Sequence, residues 1–151
     1  MLKKITNLKE LSVFAEEFLV KLSQQNKKET AVIIGLSGDL GSGKTAFTKC
    51  VAVALGISDV ITSPTFILEK VYRIPRTSIL GPYFTKLIHI DAYRLESASE
   101  MRALDWDTIV KNKNNLILIE WPEQVTEVLP KDMLAISFKH SDDGVRVVEI
   151  I

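Results

Sequence analysis

Between residues 8 and 25, apolar side chains recur three and four positions apart. Leu8, Leu11, Phe14, Ala15, Phe18, Leu19 and Leu22 form the stripe, and Lys9, Glu10, Glu16, Glu17 and Lys21 fill the gaps. That spacing predicts an amphipathic helix. Asn7 is a suitable N-cap, and Glu10 follows three residues on, as in a capping box. Ala31-Val32-Ile33-Ile34-Gly35-Leu36 is a continuous apolar run rich in β-branched residues, the pattern of a strand buried on both faces. A glycine-rich loop and a helix from about Lys44 to Leu55 follow, ended by Gly56. Phe66 to Ile74 reads as a partly alternating strand, and 75–85, with two prolines and a glycine, as a surface loop. Leu87–Ile90 and Leu116–Ile119 are two more buried strands, with a helix predicted over 97–111 between them. Met133–Phe138 and Val145–Ile150 alternate around Ser141-Asp142-Asp143-Gly144, a closing hairpin.

Strands alternating with helices imply βαβ units and an α/β fold. The expected architecture is the three-layer P-loop NTPase type: a mainly parallel central sheet, helices on both faces, and a C-terminal antiparallel hairpin at an edge. The length of 151 residues fits a single domain over 1–151. Composition narrows the class. Hydrophobic residues make up 46% and charged residues 25%, which excludes a disordered chain. One cysteine excludes an intrachain disulfide, and Cys50 shares a helical stripe with Phe47, Val51 and Ala54, so it reads as core. The 19 basic and 19 acidic residues cancel, so the footprint of an autonomous nucleic-acid binder is missing. No apolar run approaches a membrane span, and Lys9, Glu10, Glu16 and Glu17 break any signal-peptide core after the basic start. The expectation is a cytoplasmic domain.

The strongest chemical signal is Gly38-Asp39-Leu40-Gly41-Ser42-Gly43-Lys44-Thr45, a full match to G-x-x-x-x-G-K-[ST] between a buried strand and a helix. The glycines let successive backbone N–H groups point inward at phosphate oxygens, and the helix start aims its positive dipole at the same place. Lys44 supplies a charge for the β- and γ-phosphates of a nucleotide, and the Thr45 hydroxyl can ligate Mg²⁺.

Such a site needs a carboxylate near the metal, at the carboxyl end of a neighbouring parallel strand. Two strands end so: Leu87–Ile90 at Asp91, and Leu116–Ile119 at Glu120. Either can hold Mg²⁺ or orient an attacking water, and the sequence does not divide these roles. Trp121, next to Glu120, can lie against the nucleotide or sit half-buried at the rim. Thr65, in Ser63-Pro64-Thr65-Phe66, stands where GTPase-like proteins carry a switch threonine. His89 lies two residues before Asp91, on the same strand face, and reads as a hydrogen-bonded core histidine.

Together these pieces resemble the TsaE-type ATPases of bacterial tRNA threonylcarbamoyladenosine biosynthesis. The resemblance rests on the phosphate loop, Ser63-Pro64-Thr65-Phe66, His89-Ile90-Asp91-Ala92-Tyr93-Arg94-Leu95 and Ile119-Glu120-Trp121-Pro122-Glu123, in family order over nearly the whole chain. It implies a small Mg²⁺-dependent ATPase with weak activity alone. Its implied partners are a threonylcarbamoyl-transferase subunit and that subunit's paralogous companion, with tRNA reached only through their complex. ATP turnover would reset the complex between rounds. The resemblance also implies Thr45 and Glu120 as metal ligands, Asp91 as the catalytic acid, Thr65 as the switch threonine, Trp121 as a neighbour of the nucleotide, and a segment around Thr6 near the adenine. Ala92 replaces a usually larger apolar residue, Asp105 stands near a usual glycine, and 74–86 is longer than the family pattern.

A small P-loop nucleotide or small-molecule kinase is the alternative, with Arg73 and Arg76 as lid arginines. A guanine-reading N-K-x-D motif is missing: Asn26-Lys27-Lys28-Glu29 precedes the loop and Asn112-Lys113-Asn114-Asn115 lacks the aspartate. ATP is therefore the expected nucleotide. No in-chain arginine finger is evident from spacing.

Overall fold

The computed structural model describes residues 2–25, 29–65, 68–141 and 145–151. The elements are β1 (Leu2–Ile5), α1 (Leu8–Gln25), β2 (Val32–Ser37), α2 (Lys44–Ala54), β3 (Glu69–Arg73), β4 (Lys86–Asp91), α3 (Trp106–Lys111), β5 (Asn115–Glu120), β6 (Leu134–His140) and β7 (Arg146–Ile150). Two 3-10 segments, Ala98–Leu104 and Pro122–Val128, flank α3 and β5.

The seven strands form one sheet in the order β1-β7-β6-β2-β5-β4-β3. Its centre is parallel: β2 pairs in parallel with both β5 and β6, and β5 with β4. The outer pairs, β3 with β4, β6 with β7 and β1 with β7, are antiparallel. The C-terminal hairpin pairs antiparallel as expected, but it does not lie at an edge. β6 belongs to the parallel centre, and β7 is covered by β1. A four-residue strand with two lysines carries too little apolar alternation to announce itself, and tertiary pairing decides it.

The predicted helix over 8–25 matches α1 in both bounds. Asn7 caps it, its Oδ1 accepting from Glu10 N–H at 3.0 Å. Glu10 reaches one residue further back than a capping box requires and accepts from Thr6 N–H at 2.7 Å. The helix predicted over 97–111 is interrupted. Asp105 adopts φ 54°, ψ 40°, so a 3-10 segment ends there and α3 begins. A left-handed conformation favours glycine, and aspartate is among the few other residues that adopt it. The strand predicted from Phe66 begins at Glu69; Phe66 and Ile67 lie outside the described residues, as do Asp142-Asp143-Gly144 of the predicted turn. The 75–85 stretch is a loop but not merely a surface one. Leu80 and Phe84 are fully buried and plug the core beside Tyr72 and Leu87.

The sheet separates two apolar layers. Under α1 and α2 lies a core in which Phe47 faces Phe14, Phe18 and Phe138, with ring centroids 5.7, 6.0 and 5.6 Å away. The other face is covered by α3 and the short segments, which pack Met101, Trp106 and Val125 on Ile33, Ile88, Ile90, Ile117 and Ile119. Cys50 is buried as expected, and burial raises its thiol pKa.

Phe47 joins both helices to the sheet, so Phe47→Ala should lower stability by about 3–5 kcal/mol, read from the urea midpoint. A second prediction concerns β3. Glu69 is half-buried, and its Oε2 is buried without a partner. Burial, with Asp105 adding repulsion, raises its pKa. A raised folded-state pKa makes a contribution that is full below the unfolded value and is lost as pH rises through the folded value. Glu69→Gln should therefore raise the thermal midpoint at pH 7 by up to about 4 °C, and the gain should vanish below about pH 4.

Candidate functional site

The sheet's parallel centre brings the carboxyl ends of β2, β5 and β4 side by side. The glycine-rich loop leaves β2 there and runs into α2. Gly43 precedes the first turn of α2 at φ 113°, ψ 9°, and Gly38 leaves the strand at φ 143°. A side chain at Gly38 would place its Cβ 2.3 Å from the Phe138 carbonyl oxygen. Both positions therefore require glycine.

Lys44 lies back over the loop that precedes it. Its Nζ donates to the Gly38 carbonyl at 2.5 Å and the Asp39 carbonyl at 2.9 Å, and sits 4.2 Å above the Trp121 ring. Only 4% of the residue is exposed. Burial pushes its pKa below the ordinary lysine value, while Glu120, Asp91, Glu123 and Asp39 pull it back up. An anion placed before it would replace neutral carbonyl acceptors with a charged one, so that both partners of the bond are ionised.

Asp91 and Glu120 are register partners at the ends of β4 and β5. Alternation points both, with His89, toward the face that carries α2. The Thr45 hydroxyl donates to Glu120, 2.8 Å from Oε1 and 3.1 Å from Oε2. His89 Nε2 lies 2.8 Å from the same Oε1. The Thr65 hydroxyl donates to Asp91 Oδ2 at 2.7 Å, and the Tyr93 N–H donates to Oδ1 at 3.0 Å. Trp121 turns the chain out of β5 at φ 58° and packs on Tyr93, ring centroids 5.0 Å apart. A non-glycine residue in this conformation stores strain of the kind found at functional sites.

These groups line one cleft of about 350 Å³, formed by Leu40, Gly41, Gly43, Lys44, Thr45, Ala46, Ser63, Thr65, Asp91, Tyr93, Glu120, Trp121 and Arg146. Among the described residues no three His, Cys, Asp or Glu side chains form a ready metal cage. The cleft's oxygen donors include Thr45, Thr65, Asp91 and Glu120. That set fits Mg²⁺, which takes one or two carboxylates and completes its shell with water and phosphate oxygens.

The sequence model of the family described as "Threonylcarbamoyl adenosine biosynthesis protein TsaE" matches residues 5–148. The chain belongs to the TsaE family. The tRNA threonylcarbamoyladenosine biosynthesis protein TsaE of Borreliella burgdorferi is 40% identical to it over 119 residues, 78% of this chain and 80% of that protein. The protein of the same description from Bacillus subtilis is 37% identical over 116 residues, 77% of this chain and 66% of that protein. The crystal structure of Bacillus subtilus YdiB superposes with a TM-score of 0.73 at 27% identity, covering 99% of this chain and 83% of that one. The TsaE family works in tRNA threonylcarbamoyladenosine biosynthesis. Among the described residues no helix is long and apolar enough to cross a membrane.

Most residues singled out in the sequence of this TsaE family member meet in the cleft: Leu40, Gly41, Gly43, Lys44, Thr45, Thr65, Asp91, Glu120 and Trp121. Asp39 and Ser42 do not line it. Asp39 contributes its carbonyl to Lys44, and Ser42 is buried with its hydroxyl 3.5 Å from Lys44 Nζ. Thr6 also lies outside it, in a separate depression with Lys3, Lys4 and Asn7, its hydroxyl donating to Glu10. Arg73 pairs with Lys86, at the end of β4 opposite Asp91, so it cannot close over the loop as a lid arginine. Asn112–Asn115 likewise leads into β5 at the end opposite Glu120, Asn115 being its first residue. Phe66 of the threonine motif lies outside the described residues.

Arg146 is the residue that sequence reasoning missed. It begins β7, opposite Ile5 of β1 and His140 of β6, and its guanidinium lies within 4 Å of where a Gly43 Cβ would stand. Nothing in its neighbourhood marks it, because only the register of three strands brings it to the cleft. Gly38→Ala should destabilise the protein by about 1–3 kcal/mol from backbone strain alone, with the overlap on Phe138 adding to that. Urea unfolding checks it.

Proposed function

We propose that this TsaE family member is a Mg²⁺-dependent ATPase that acts on the threonylcarbamoyl-transferase subunit and its paralogous companion. ATP turnover would support repeated rounds of tRNA threonylcarbamoyladenosine formation. One observation carries the reading: Lys44, Thr45, Glu120, Asp91 and Thr65 converge on a single cleft at the start of α2. A lysine held by neutral carbonyls, two carboxylates capped by threonine hydroxyls, and the N-terminal end of an eleven-residue helix make a polyphosphate site.

In this reading the backbone N–H groups of 41–45 and the Lys44 ammonium hold the β- and γ-phosphates. Thr45 and Glu120 would hold Mg²⁺, and Asp91, the register partner of Glu120, would supply a second carboxylate beside it. The metal, when bound, neutralises charge on the phosphate oxygens. Asp91 and Thr65, hydrogen-bonded to each other, lie on the side where an attacking water is oriented. The reaction is transfer of the γ-phosphoryl group to water. Trp121 and Tyr93 form the aromatic wall that limits access. Arg146 supplies a second cation on the opposite side of the loop from the carboxylates.

The formal net charge of zero suits a subunit that leaves tRNA to its partners. The kinase alternative loses one of its two lid arginines, because Arg73 lies at the far end of the sheet.

Steady-state ATP hydrolysis, measured alone and with the purified two-subunit transferase, tests the proposal. Strong stimulation by the partners is expected. Lys44→Ala should weaken ATP binding about 10–100-fold, the worth of a charge-assisted hydrogen bond. Glu120→Ala should impair Mg²⁺-dependent turnover more than metal-free nucleotide binding. Unchanged hydrolysis in both variants would overturn the site.

A further inference from the structure

We propose that His89 is a positioning residue whose role is to hold the Glu120 carboxylate in the orientation that receives Mg²⁺. The proposal rests on the cleft being a Mg²⁺–nucleotide site, and it gives His89 a role beyond that of a core histidine.

His89 is fully buried in the middle of β4, with Leu87 behind it and Asp91 ahead on the same strand face. Its register partners are Leu118 on β5 and Lys70 on β3, and Glu120 lies one diagonal further along β5. Beside Lys70, Asp91 and Glu120, the neighbours on this face are apolar: Leu87, Leu116 and Leu118 all belong to the core under α1 and α2. Burying an imidazole there is unfavourable unless its nitrogens are paired.

Only one nitrogen is paired. Nε2 lies 2.8 Å from Glu120 Oε1, and Nδ1 is buried with no hydrogen-bond partner. A carboxylate oxygen only accepts, so Nε2 carries the hydrogen that it donates. The whole polar capacity of the ring is spent on Glu120, at the expense of an orphaned Nδ1. An orphaned buried nitrogen is a cost that a purely structural histidine would avoid by pairing both ends.

Glu120 has a second donor, the Thr45 hydroxyl. The two donors are not equivalent. Thr45 lines the cleft and would itself offer a hydroxyl lone pair to Mg²⁺, whereas His89 does not line it. His89 is thus the donor to Oε1 that takes no direct part in holding the ion and acts on it only through Glu120. Removing such a supporting hydrogen bond weakens metal binding about 10–100-fold in sites of comparable design.

The test compares wild type with His89→Leu, His89→Gln and His89→Asn in the full chain. The readout is the Mg²⁺ concentration that half-maximally tightens binding of a fluorescent ATP analogue, with metal-free affinity and thermal midpoint measured beside it. The Gln amide nitrogen can reach the place of Nε2, and the Asn amide nitrogen stops near Nδ1. Leu and Asn should raise the Mg²⁺ requirement about 10–100-fold while metal-free affinity stays at the wild-type value. Gln should restore most of the loss. Should Leu fail to fold, the contrast between Asn and Gln decides. A wild-type Mg²⁺ requirement in Asn, or equal impairment in Asn and Gln, would overturn the role of His89 alone. Binding by the wild type that shows no Mg²⁺ dependence would overturn the metal site itself, and the role of His89 with it.

Discussion

Glu120 accepts hydrogen bonds from Thr45 on α2 and from His89 on β4 while standing at the end of β5. Three elements therefore meet at one carboxylate, 3% exposed. A carboxylate this buried is stable only with its lone pairs occupied. That constraint fixes the start of α2 against the sheet. It also fixes the glycine-rich loop, because the loop has to connect β2 to a helix whose second residue is already tied. The left-handed turn at Trp121 belongs to the same arrangement, since the chain must leave β5 abruptly once Glu120 is in place. The apolar layers on either side supply the free energy, and the carboxylate supplies the geometry.

Much of this was legible in the sequence. The helix over 8–25, the three buried strands and the helix after the glycine-rich loop all follow from periodicity, because each buries a whole face or both faces. The two strand-end acids could be picked out because a polar residue closing a long apolar run is conspicuous. What stayed hidden depends on pairing rather than pattern. β1 has two lysines in four residues and exists because β7 offers it an edge. Arg146 reaches the cleft through that same register. The break at Asp105 needs a left-handed aspartate, which no propensity rule predicts. Leu80 and Phe84 fill the core from a stretch whose prolines and glycine read as surface. His89 is a hydrogen-bonded core histidine, as its place in an apolar strand implies; that its partner is a cleft carboxylate follows only from the diagonal between β4 and β5.

The cleft has two unlike sides. Toward β4 and β5 it presents carboxylates and threonine hydroxyls, a surface for a divalent cation. Toward β7 it presents the Arg146 guanidinium, a surface for an anion. Lys44 lies between them with neutral carbonyl partners and the Trp121 ring beneath its ammonium. The polarity across the cleft comes from sheet order: the acids sit at the ends of the two strands on one side of β2, and the arginine on the second strand to the other.

The sheet order also bears on how the chain is assembled. β2 is central, flanked by β5 and β6, yet its neighbours follow it by some eighty to a hundred residues of sequence. As the chain is synthesised from its N-terminus, the glycine-rich loop emerges early with neither edge of its strand paired. β2 is an apolar strand with two bare edges until residues 115–140 appear. Loop-closure entropy of that size makes such parallel pairings slow. For most of translation, then, the stretch that becomes the core of the site is among the parts of the nascent chain most exposed to wrong pairing.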